Sequence, residues 1–440
     1  MNQTANESLE TRLHRKLAWR LLPILMVCYI LNYLDRSNIG FAKLAFMDDL
    51  GMTEAAFGLG AGLFYLGYSA FEIPSNLMLH KVGVRKTLLR IMVAWGLCAA
   101  GFALMKTDLH YYILRLLLGI AEAGFFPGML LFVSLWIPSR RRATFTAAFM
   151  AAMPLASLIG GPLSGAILHG MDGVGGWHGW QWMFVIEGLP SVAMGVLAFV
   201  LLYDRPEDAR WLTAEEKRFL RSELDAEAAE TAARAEAGGG SHTQFGAAAR
   251  DVRIYSIAAM AISLVAGGAG LQLWMPSVIR NAGVDNLLHV GLLAGVPFLI
   301  AIVVQQLVAR RSDRRQERRW HAATSAMLSG AGWLSLLFTS SSLPLAMISL
   351  TVAVCGFLGA TGPFWALPSR YLTGKAAAGG LALIATLGGV GSFLSPTIVG
   401  YFADKGGNLD GAFVYYGLLM TAGPLLMLWG SYKLEQQRKL

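Results

Sequence analysis

The chain has 440 residues, of which 55% are hydrophobic and only 15% charged, and its mean hydropathy is +0.50. This composition excludes an ordinary soluble globular protein and indicates an integral membrane protein. The formal net charge of +8 does not call for a nucleic-acid partner, because membrane proteins retain Lys and Arg on their cytoplasmic side.

Apolar stretches of about 20 residues recur along almost the whole chain, and each is long enough as a helix to cross about 30 Å of hydrocarbon. The pattern predicts an all-α membrane protein with twelve transmembrane helices in two six-helix bundles. The predicted spans are 17–42, 56–80, 87–106, 110–137, 143–169, 180–203, 252–279, 287–309, 320–339, 343–369, 376–402 and 411–432.

The basic residues predict the orientation of the chain. One side of the membrane receives the basic N-terminal tail, the clusters at 79–86, 138–142 and 309–319, and the long central loop. The other side receives four basic residues, which are Lys43, Lys106, Arg280 and Lys405. Because positive residues stay on the cytoplasmic side, both termini are expected in the cytoplasm.

The first span contains an Asp and an Arg side by side, Asp35 and Arg36, and the fourth contains Arg115 and Glu122. Charges in hydrocarbon are costly, so they need a functional or structural reason. A rise of 1.5 Å per residue places Asp35, Arg36 and Arg115 at one depth, and we expect Asp35 and Arg115 to form an ion pair. Desolvation favours the neutral form of Glu122, as a proton-carrying site requires. A static network that locks the helices together is the structural alternative.

The segment 204–250 is the one long interruption, and it divides the chain into an N-terminal half, 1–203, and a C-terminal half, 251–440. Thr213 and Glu216 have the spacing of a capping box, which predicts a short amphipathic helix followed by a flexible linker. The halves also resemble each other. PSR occurs at 138–140 and again at 368–370, and Pro162 with Gly165 corresponds to Pro396 with Gly400. An internal repeat of this kind is typical of transporters that alternate about a site near the bilayer midplane.

Three cysteines lie within predicted spans, too scattered for a disulfide framework or a metal site, so we expect neither a metal nor a cofactor. Five stretches carry a more specific signal, namely LNYLDRSNIGFA, YSAFEIPSNLML, LRLLLGIAEAGFFPG, GWQWMFVIEGLP and GPFWALPSRYLTGKAAAGG. Together with the six-plus-six layout they resemble the major facilitator superfamily, and within it the anion:cation symporter family, closest to bacterial tartrate and hydroxyphenylacetate permeases.

The resemblance implies a proton-coupled transporter of organic anions in the bacterial inner membrane, working as a monomer with protons, a small carboxylate and the lipid bilayer as its only partners. It implies that Asp35 and Glu122 carry protons, that Arg36 binds the substrate carboxylate, and that Arg115 organises Asp35. It also places Tyr68 at the cavity. Gln272 and Trp365 are further candidates for substrate contact, with helix packing as their alternative role. Glu72 and Glu187 are expected to be structural or gating groups.

One stretch departs from the tartrate-like pattern. Where such relatives have two Asn in the manner of ALINSIGNLGG, this chain reads ALIATLGGVGS, with Ala385 and Gly389 in their place. Loss of two hydroxyl-binding amides argues against a polyhydroxylated sugar acid and leaves room for tartrate or an aromatic carboxylate. The alternatives are an anion exchanger, an exporter, or a receptor that binds a carboxylate without moving it. No nucleophile, metal-ligand set or phosphate loop points to an enzyme.

Overall fold

The computed structural model of the protein describes residues 3–237, 252–367 and 375–437, in which the regular structure is helical. The α-helices are α1 Gln3–Leu50, α2 Glu54–Val82, α3 Val84–Gly101, α4 Asp108–Glu122, α5 Phe125–Trp136, α6 Ser139–Met150, α7 Ala152–Gly170, α8 Gly179–Leu201, α9 Ala214–Ala237, α10 Val252–Asn281, α11 Leu287–Arg315, α12 Arg319–Thr339, α13 Leu343–Trp365, α14 Lys375–Gly406 and α15 Asp410–Gln437.

Twelve membrane-length rods result among the described residues, because α4 and α5 form one rod with a break and α6 and α7 form another. Within the described ranges, ten rods are long and apolar enough to cross a membrane. The remaining two are α2, with 29 residues, and α14, with 32, and both have the necessary length. Polar residues such as Glu72 and Ser75 make α2 less apolar than its neighbours. The predicted fold is confirmed.

Within each half, short turns connect most successive rods among the described residues, so these rods alternate in direction. We call the end that carries Gly83 between α2 and α3 the basic face, since α9 and the basic clusters lie there. We call the opposite end, where α1 ends and α2 begins, the far face. These names imply nothing about the two sides of the membrane.

The amphipathic helix α9 begins with the predicted capping box. The Thr213 backbone N–H donates to Glu216 Oε2 at 2.8 Å, and the Glu216 N–H donates to Thr213 Oγ1 at 3.2 Å. The helix is longer than predicted and ends at Ala237, because the Ala, Glu and Arg residues read as a flexible linker are strong helix formers. The rest of that predicted linker, 238–250, lies outside the described residues.

The helix α9 is fastened to the N-terminal half. Lys16 Nζ of α1 lies 2.7 Å from Glu216 Oε2, and Arg142 Nη2 of α6 lies 2.8 Å from Glu227 Oε1. These ion pairs place α9 beneath the N-terminal half at the basic face. The division of the chain at 203 and 251 stays a prediction.

Glycines bring the two halves into contact at the far face. A Cβ on Gly165 of α7 would lie 2.6 Å from the Leu287 carbonyl oxygen of α11, and one on Gly400 of α14 would lie 2.9 Å from Gly58 Cα of α2. Gly165 and Gly400 are the two positions that the internal repeat matched. The repeated sequence therefore produces two equivalent helix contacts between the halves, and only glycine permits backbones to approach so closely.

Lys43 is also part of this closed far face, because α1 continues beyond the predicted span end at 42 and contains Lys43. It is 3% exposed within α1, and its Nζ lies 2.7 Å from Glu54 Oε2 of α2. The same Nζ is 3.8 Å from the ring centroid of Trp274, which is fully buried in α10 of the other half. Further along, the Arg280 guanidinium donates to the Leu44 carbonyl. Cations of each half thus hold the far face closed.

Candidate functional site

The centre of the N-terminal half contains an ion pair between α1 and α4. Arg36 Nε donates to Glu122 Oε2 at 2.7 Å, and Arg36 Nη2 lies 2.7 Å from the same oxygen. Glu122 is fully buried, whereas the Arg36 side chain keeps 22% exposure. The Arg36 side chain is therefore partly accessible while its carboxylate partner is not.

A break in the fourth rod determines where Glu122 sits. Glu122 is the last residue of α4, and Gly124 follows with a φ of +87°, after which α5 begins. A Cβ on Gly124 would lie 2.5 Å from Ser75 Oγ of α2, so both conformation and space require glycine here. The C-terminus of a helix carries partial negative charge, which disfavours a carboxylate. Arg36 supplies the opposite charge at this position.

Two aromatic residues of α2 line the ion pair. The Arg36 guanidinium lies 5.0 Å from the ring centroid of Tyr68 and 5.4 Å from that of Phe64. The Arg115 guanidinium lies 4.8 Å from the centroid of the same Phe64 ring. Cation–π contacts of this kind stabilise cations away from water. Four predicted site residues, Arg36, Arg115, Glu122 and Tyr68, are therefore brought together around Phe64.

Asp35 has a different environment, and the predicted ion pair between Asp35 and Arg115 is wrong. Asp35 Oδ1 accepts a hydrogen bond from Asn38 Nδ2 at 3.3 Å, and its Oδ2 has no hydrogen-bond partner among the described residues. Arg115, only 3% exposed, likewise leaves its Nε unpartnered in the described part of the chain. Equal depth along the membrane normal did not make Asp35 and Arg115 partners. The carboxylate that contacts an Arg at 2.7 Å is that of Glu122, and the Arg is Arg36.

Glu187 of α8 lies in the same environment as Asp35. It is 3% exposed, and its Oε1 accepts a hydrogen bond from Ser164 Oγ of α7 at 2.8 Å. Its carboxyl is close enough to that of Asp35 for the two to interact electrostatically.

The remaining candidates lie apart from this cluster. Gln272 lines a small pocket between the halves together with Ser37, Phe41 and Phe298. Trp365 ends α13 and is 50% exposed, with its ring against Phe364. Neither is among the described contacts of Arg36 or Glu122, so their predicted roles stay predictions.

Of the two positions that lack Asn, the side chain of Ala385 lies outside the described residues. A Cβ on Gly389 of α14 would lie 2.6 Å from Ser69 Oγ, one residue after Tyr68 on α2. Gly389 therefore faces α2 at Ser69.

Sequence reasoning missed Phe64, Asn38 and Ser164. Phe64 stands four residues before Tyr68, one helical turn away, and Asn38 stands three after Asp35. Both spacings place a residue on the face of its charged or aromatic neighbour. No comparable signal marks Ser164, whose partner is 23 residues away on another helix.

The fold and the buried charges define a secondary transporter, and the chain belongs to the Major Facilitator Superfamily, whose family model matches residues 25–396. A protein of Agrobacterium vitis named "Putative tartrate transporter" is 42% identical over 95% of this chain and 90% of its own length. The "Quinolone resistance transporter" of Acinetobacter baumannii is 37% identical over 96% of both chains. The protein is thus a multi-pass membrane transporter and not an enzyme.

Solved structures share the fold. The xylose transporter XylE from E. coli, in a partially occluded inward-open conformation, has a TM-score of 0.73 over 94% of this chain and 97% of that one, at 14% identity. A bacterial homologue of the human lysosomal transporter Spinster, in an inward-facing conformation, has a TM-score of 0.71 over 93% and 94%, at 16% identity. At these identities the likeness concerns the fold alone.

Proposed function

We propose that the protein is a proton-coupled transporter that imports a small organic carboxylate by alternating access. The observation that carries the proposal is the ion pair of Arg36 with the fully buried Glu122. A guanidinium is a strong ligand for a carboxylate, and here the protein supplies that carboxylate itself. Glu122 therefore occupies the Arg36 guanidinium, which a substrate anion needs for binding.

Protonation of Glu122 couples proton uptake to substrate binding at Arg36. When Glu122 takes up a proton, it loses the charge that holds Arg36, and the guanidinium becomes free to bind a substrate carboxylate. Burial and the helix C-terminus both favour the neutral acid once Arg36 has left. Proton and anion then cross together as the halves exchange their contacts, and release of both restores the internal pair.

Orientation and location follow the distribution of basic residues. We assign the basic face to the cytoplasm of a bacterial-type inner membrane, with both termini inside and a single chain as the transporting unit. The chain then consists of the bundle 1–203, the linker 204–250 and the bundle 251–440. In this orientation the far face is the outer one, so the closed contacts at Gly165 and Gly400 separate the site from the outside.

The proposed substrate class is inferred from the Arg36 side chain and from the name of one similar protein. Arg36 selects a carboxylate, and the 42% identical relative has tartrate in its name. The ring of Tyr68 beside Arg36 offers an apolar surface that suits an aromatic acid as well. Tartrate and 4-hydroxyphenylacetate are therefore the first two compounds to test. The relative named for quinolone resistance supports export as the second candidate function.

Uptake into proteoliposomes with an imposed pH gradient tests the proposal. The parent protein should accumulate labelled tartrate or 4-hydroxyphenylacetate when the outside is acidic. Glu122→Gln keeps the shape of the side chain but cannot release a proton, so it should exchange labelled for unlabelled substrate and fail to accumulate it. If Glu122→Gln accumulates substrate as well as the parent, the proposed coupling through Glu122 is wrong. Accumulation only when the lumen is acidic would establish export.

A further inference from the structure

The basic end of α11 carries four arginines whose charges are not balanced within the described part of the chain. They are Arg310, Arg311, Arg314 and Arg315. All four are exposed, and none of their side chains forms an ion pair or a hydrogen bond with another described residue. The two acids of the same segment are already engaged. Asp313 Oδ1 lies 3.2 Å from Arg318 Nη2, and Glu317 Oε2 lies 2.8 Å from His321 Nδ1. The four guanidiniums therefore remain available to an anion from outside the chain.

These arginines continue the exposed apolar side of α11. Six large apolar side chains of this helix are exposed and recur at helical spacing, which in a membrane protein marks the side that faces lipid. They are Leu292, Val296, Leu299, Ile300, Val303 and Leu307. The buried side of the helix includes Gly291 and Phe298. Arg310 and Arg314 stand three and seven residues after Leu307, so they lie on the same side of the helix as the exposed apolar residues.

The depth of the arginines matches the headgroup layer at the basic face. Leu292 and Leu307 are 15 residues apart, which corresponds to about 22 Å of helix and fits within about 30 Å of hydrocarbon. Arg310 and Arg314 follow about 4 and 10 Å beyond Leu307. Trp320, at the start of α12, is 52% exposed, and exposed Trp is typical of the membrane interface. The guanidiniums therefore lie at the level of the lipid phosphates.

A basic cluster at the end of a helix can also fasten that helix to its neighbours, as the turn between α2 and α3 does. Arg85 Nε donates to the Phe199 carbonyl at 2.9 Å, and the Arg85 backbone N–H donates to Asp204 Oδ1 at 2.9 Å. The Arg85 guanidinium also lies 4.6 Å from the ring centroid of Phe199. The four arginines of α11 make no such contacts with the described residues, so fastening does not account for them.

We propose that Arg310, Arg311, Arg314 and Arg315 bind the phosphate of an anionic phospholipid whose acyl chains lie along the exposed apolar side of α11. A guanidinium binds phosphate oxygens through two parallel N–H groups. Arg310 and Arg314 are one helical turn apart, so both can reach one headgroup. A lipid with a net negative headgroup is favoured over a zwitterionic lipid, because no positive group of its own offsets the phosphate. The site is independent of the proposed substrate and of proton coupling.

Quenching by brominated lipid measures the lipid composition beside these arginines. The full-length protein, in a background without the native cysteines, carries a fluorophore on Leu307→Cys and is reconstituted in phosphatidylcholine vesicles. A small fraction of the lipid is brominated in the upper part of its acyl chains, and this fraction is either phosphatidylglycerol or phosphatidylcholine. Brominated phosphatidylglycerol should quench more strongly, with a local enrichment of about fivefold, the gain for one Arg near an anionic surface.

The combined substitutions Arg310→Gln and Arg314→Gln should bring this enrichment close to one. Equal quenching by the two brominated lipids in the parent would overturn the proposal, as would full enrichment in the double variant. No substrate and no pH gradient are used, so the result is separate from the outcome of the transport assay.

Arg205→Gln combined with Arg210→Gln is the matched control. It removes two exposed arginines from the same basic face, but these lie between α8 and α9, beside Glu207 and Asp208, and do not follow the apolar side of α11. Enrichment at position 307 should stay at the parental level. If the control lowers the enrichment as much as the α11 variant does, the general charge of the basic face attracts the lipid and the proposed site is refuted.

Inorganic phosphate distinguishes a lipid headgroup from a soluble anion. Millimolar phosphate, added at constant ionic strength, should leave the enrichment unchanged, because the acyl chains keep the lipid beside α11 at a high effective concentration. If phosphate makes the two brominated lipids quench equally, the arginines bind soluble phosphate and the assignment to a lipid is wrong.

Discussion

Asp35 and Arg36 are adjacent in α1 but belong to two different clusters. Arg36 contacts Glu122 and the rings of Phe64 and Tyr68, whereas Asp35 contacts Asn38 and interacts with Glu187. Successive residues of a helix point about 100° apart, so one turn of α1 serves both clusters. The adjacent charges Asp35 and Arg36 thus belong to two separate clusters on different faces of α1.

Arg36→Lys should weaken substrate binding sharply while keeping the positive charge. A Lys ammonium cannot make the two contacts that Arg36 makes through Nε and Nη2, and it leaves the buried Glu122 poorly paired. Loss of a hydrogen bond to a charged group costs about 1.5–3 kcal/mol, which corresponds to roughly a tenfold to hundredfold rise in Kd. Calorimetric titration with tartrate and 4-hydroxyphenylacetate measures the effect. Equal affinity in Arg36→Lys, Arg36→Ala and the parent would remove Arg36 from the binding site.

Lys43→Met should open the far face. The substitution keeps the length of the side chain but removes the ion pair with Glu54 and the cation–π contact with Trp274. Loss of about 1 kcal/mol from the closed state would raise the open population roughly fivefold. Alkylation of a cysteine at Ser37, in a background without the native cysteines, reports this opening when the reagent is added from the far face.

The matched controls for Lys43 are Lys43→Arg and the double variant Lys43→Met with Glu54→Gln. The first keeps the charge and should stay near the parental rate of alkylation. The second removes the unpaired carboxylate as well and should still open, because the contact with Trp274 is missing. No increase in either Met variant would mean that the far face is closed by the glycine contacts alone.

Gly389→Asn should improve the binding of polyhydroxylated acids. The parent, without the two Asn of tartrate-like relatives, is expected to bind galactonate more weakly than tartrate or 4-hydroxyphenylacetate. An amide at Gly389 would stand beside Ser69, which must rotate to admit it. One new hydrogen bond to a hydroxyl is worth about 1 kcal/mol, or roughly fivefold in affinity. Competition against labelled tartrate measures it, with Gly389→Leu as a control for size. If galactonate already outcompetes both other acids in the parent, the absence of Asn does not set specificity.

The attachment of α9 to α1 should weaken at acid pH. Partial burial acts to raise the pKa of Glu216, but hydrogen bonds from Lys16 and Thr213 prevail and lower this pKa below the ordinary 4.5. A lowered pKa in the folded state means that the attachment is fully present above the ordinary value and is lost as the pH falls through the folded value. Hydrogen-exchange protection of 214–237 should decrease there. Glu216→Gln should show the weaker protection at neutral pH, by under about 1 kcal/mol. An identical pH profile in Glu216→Gln would contradict the assignment.

The fold and the site differed in how far the sequence could predict them. Span length and hydropathy are local properties, so the twelve rods could be read directly, and the repeated Gly165 and Gly400 even marked contacts between the halves. The ion-pair partner of a buried charge depends on residues that are distant in sequence. Depth along the membrane normal suggested Asp35 with Arg115, but the direction of each side chain around its helix decided for Arg36 with Glu122. The left-handed Gly124, which ends α4 at Glu122, could not be inferred from composition.

Burial of Lys43 shows the same limit at the far face. A Lys near a predicted span end normally reaches water. Here α1 continues to Leu50, and Trp274 arrives from the other half to cover the ammonium. This long-range contact, which a single stretch of sequence does not reveal, makes Lys43 part of the closure.

Both contacts of Arg36 fall on one oxygen of Glu122, and Oε1 has no hydrogen-bond partner among the described residues. The kinetic consequence concerns how one carboxylate replaces another. A guanidinium held by two oxygens must first be vacated, whereas one held by a single oxygen can admit an incoming carboxylate before the first has left. In the proposed cycle protonation of Glu122 then completes the exchange, because the neutral acid no longer competes with the incoming carboxylate for Arg36.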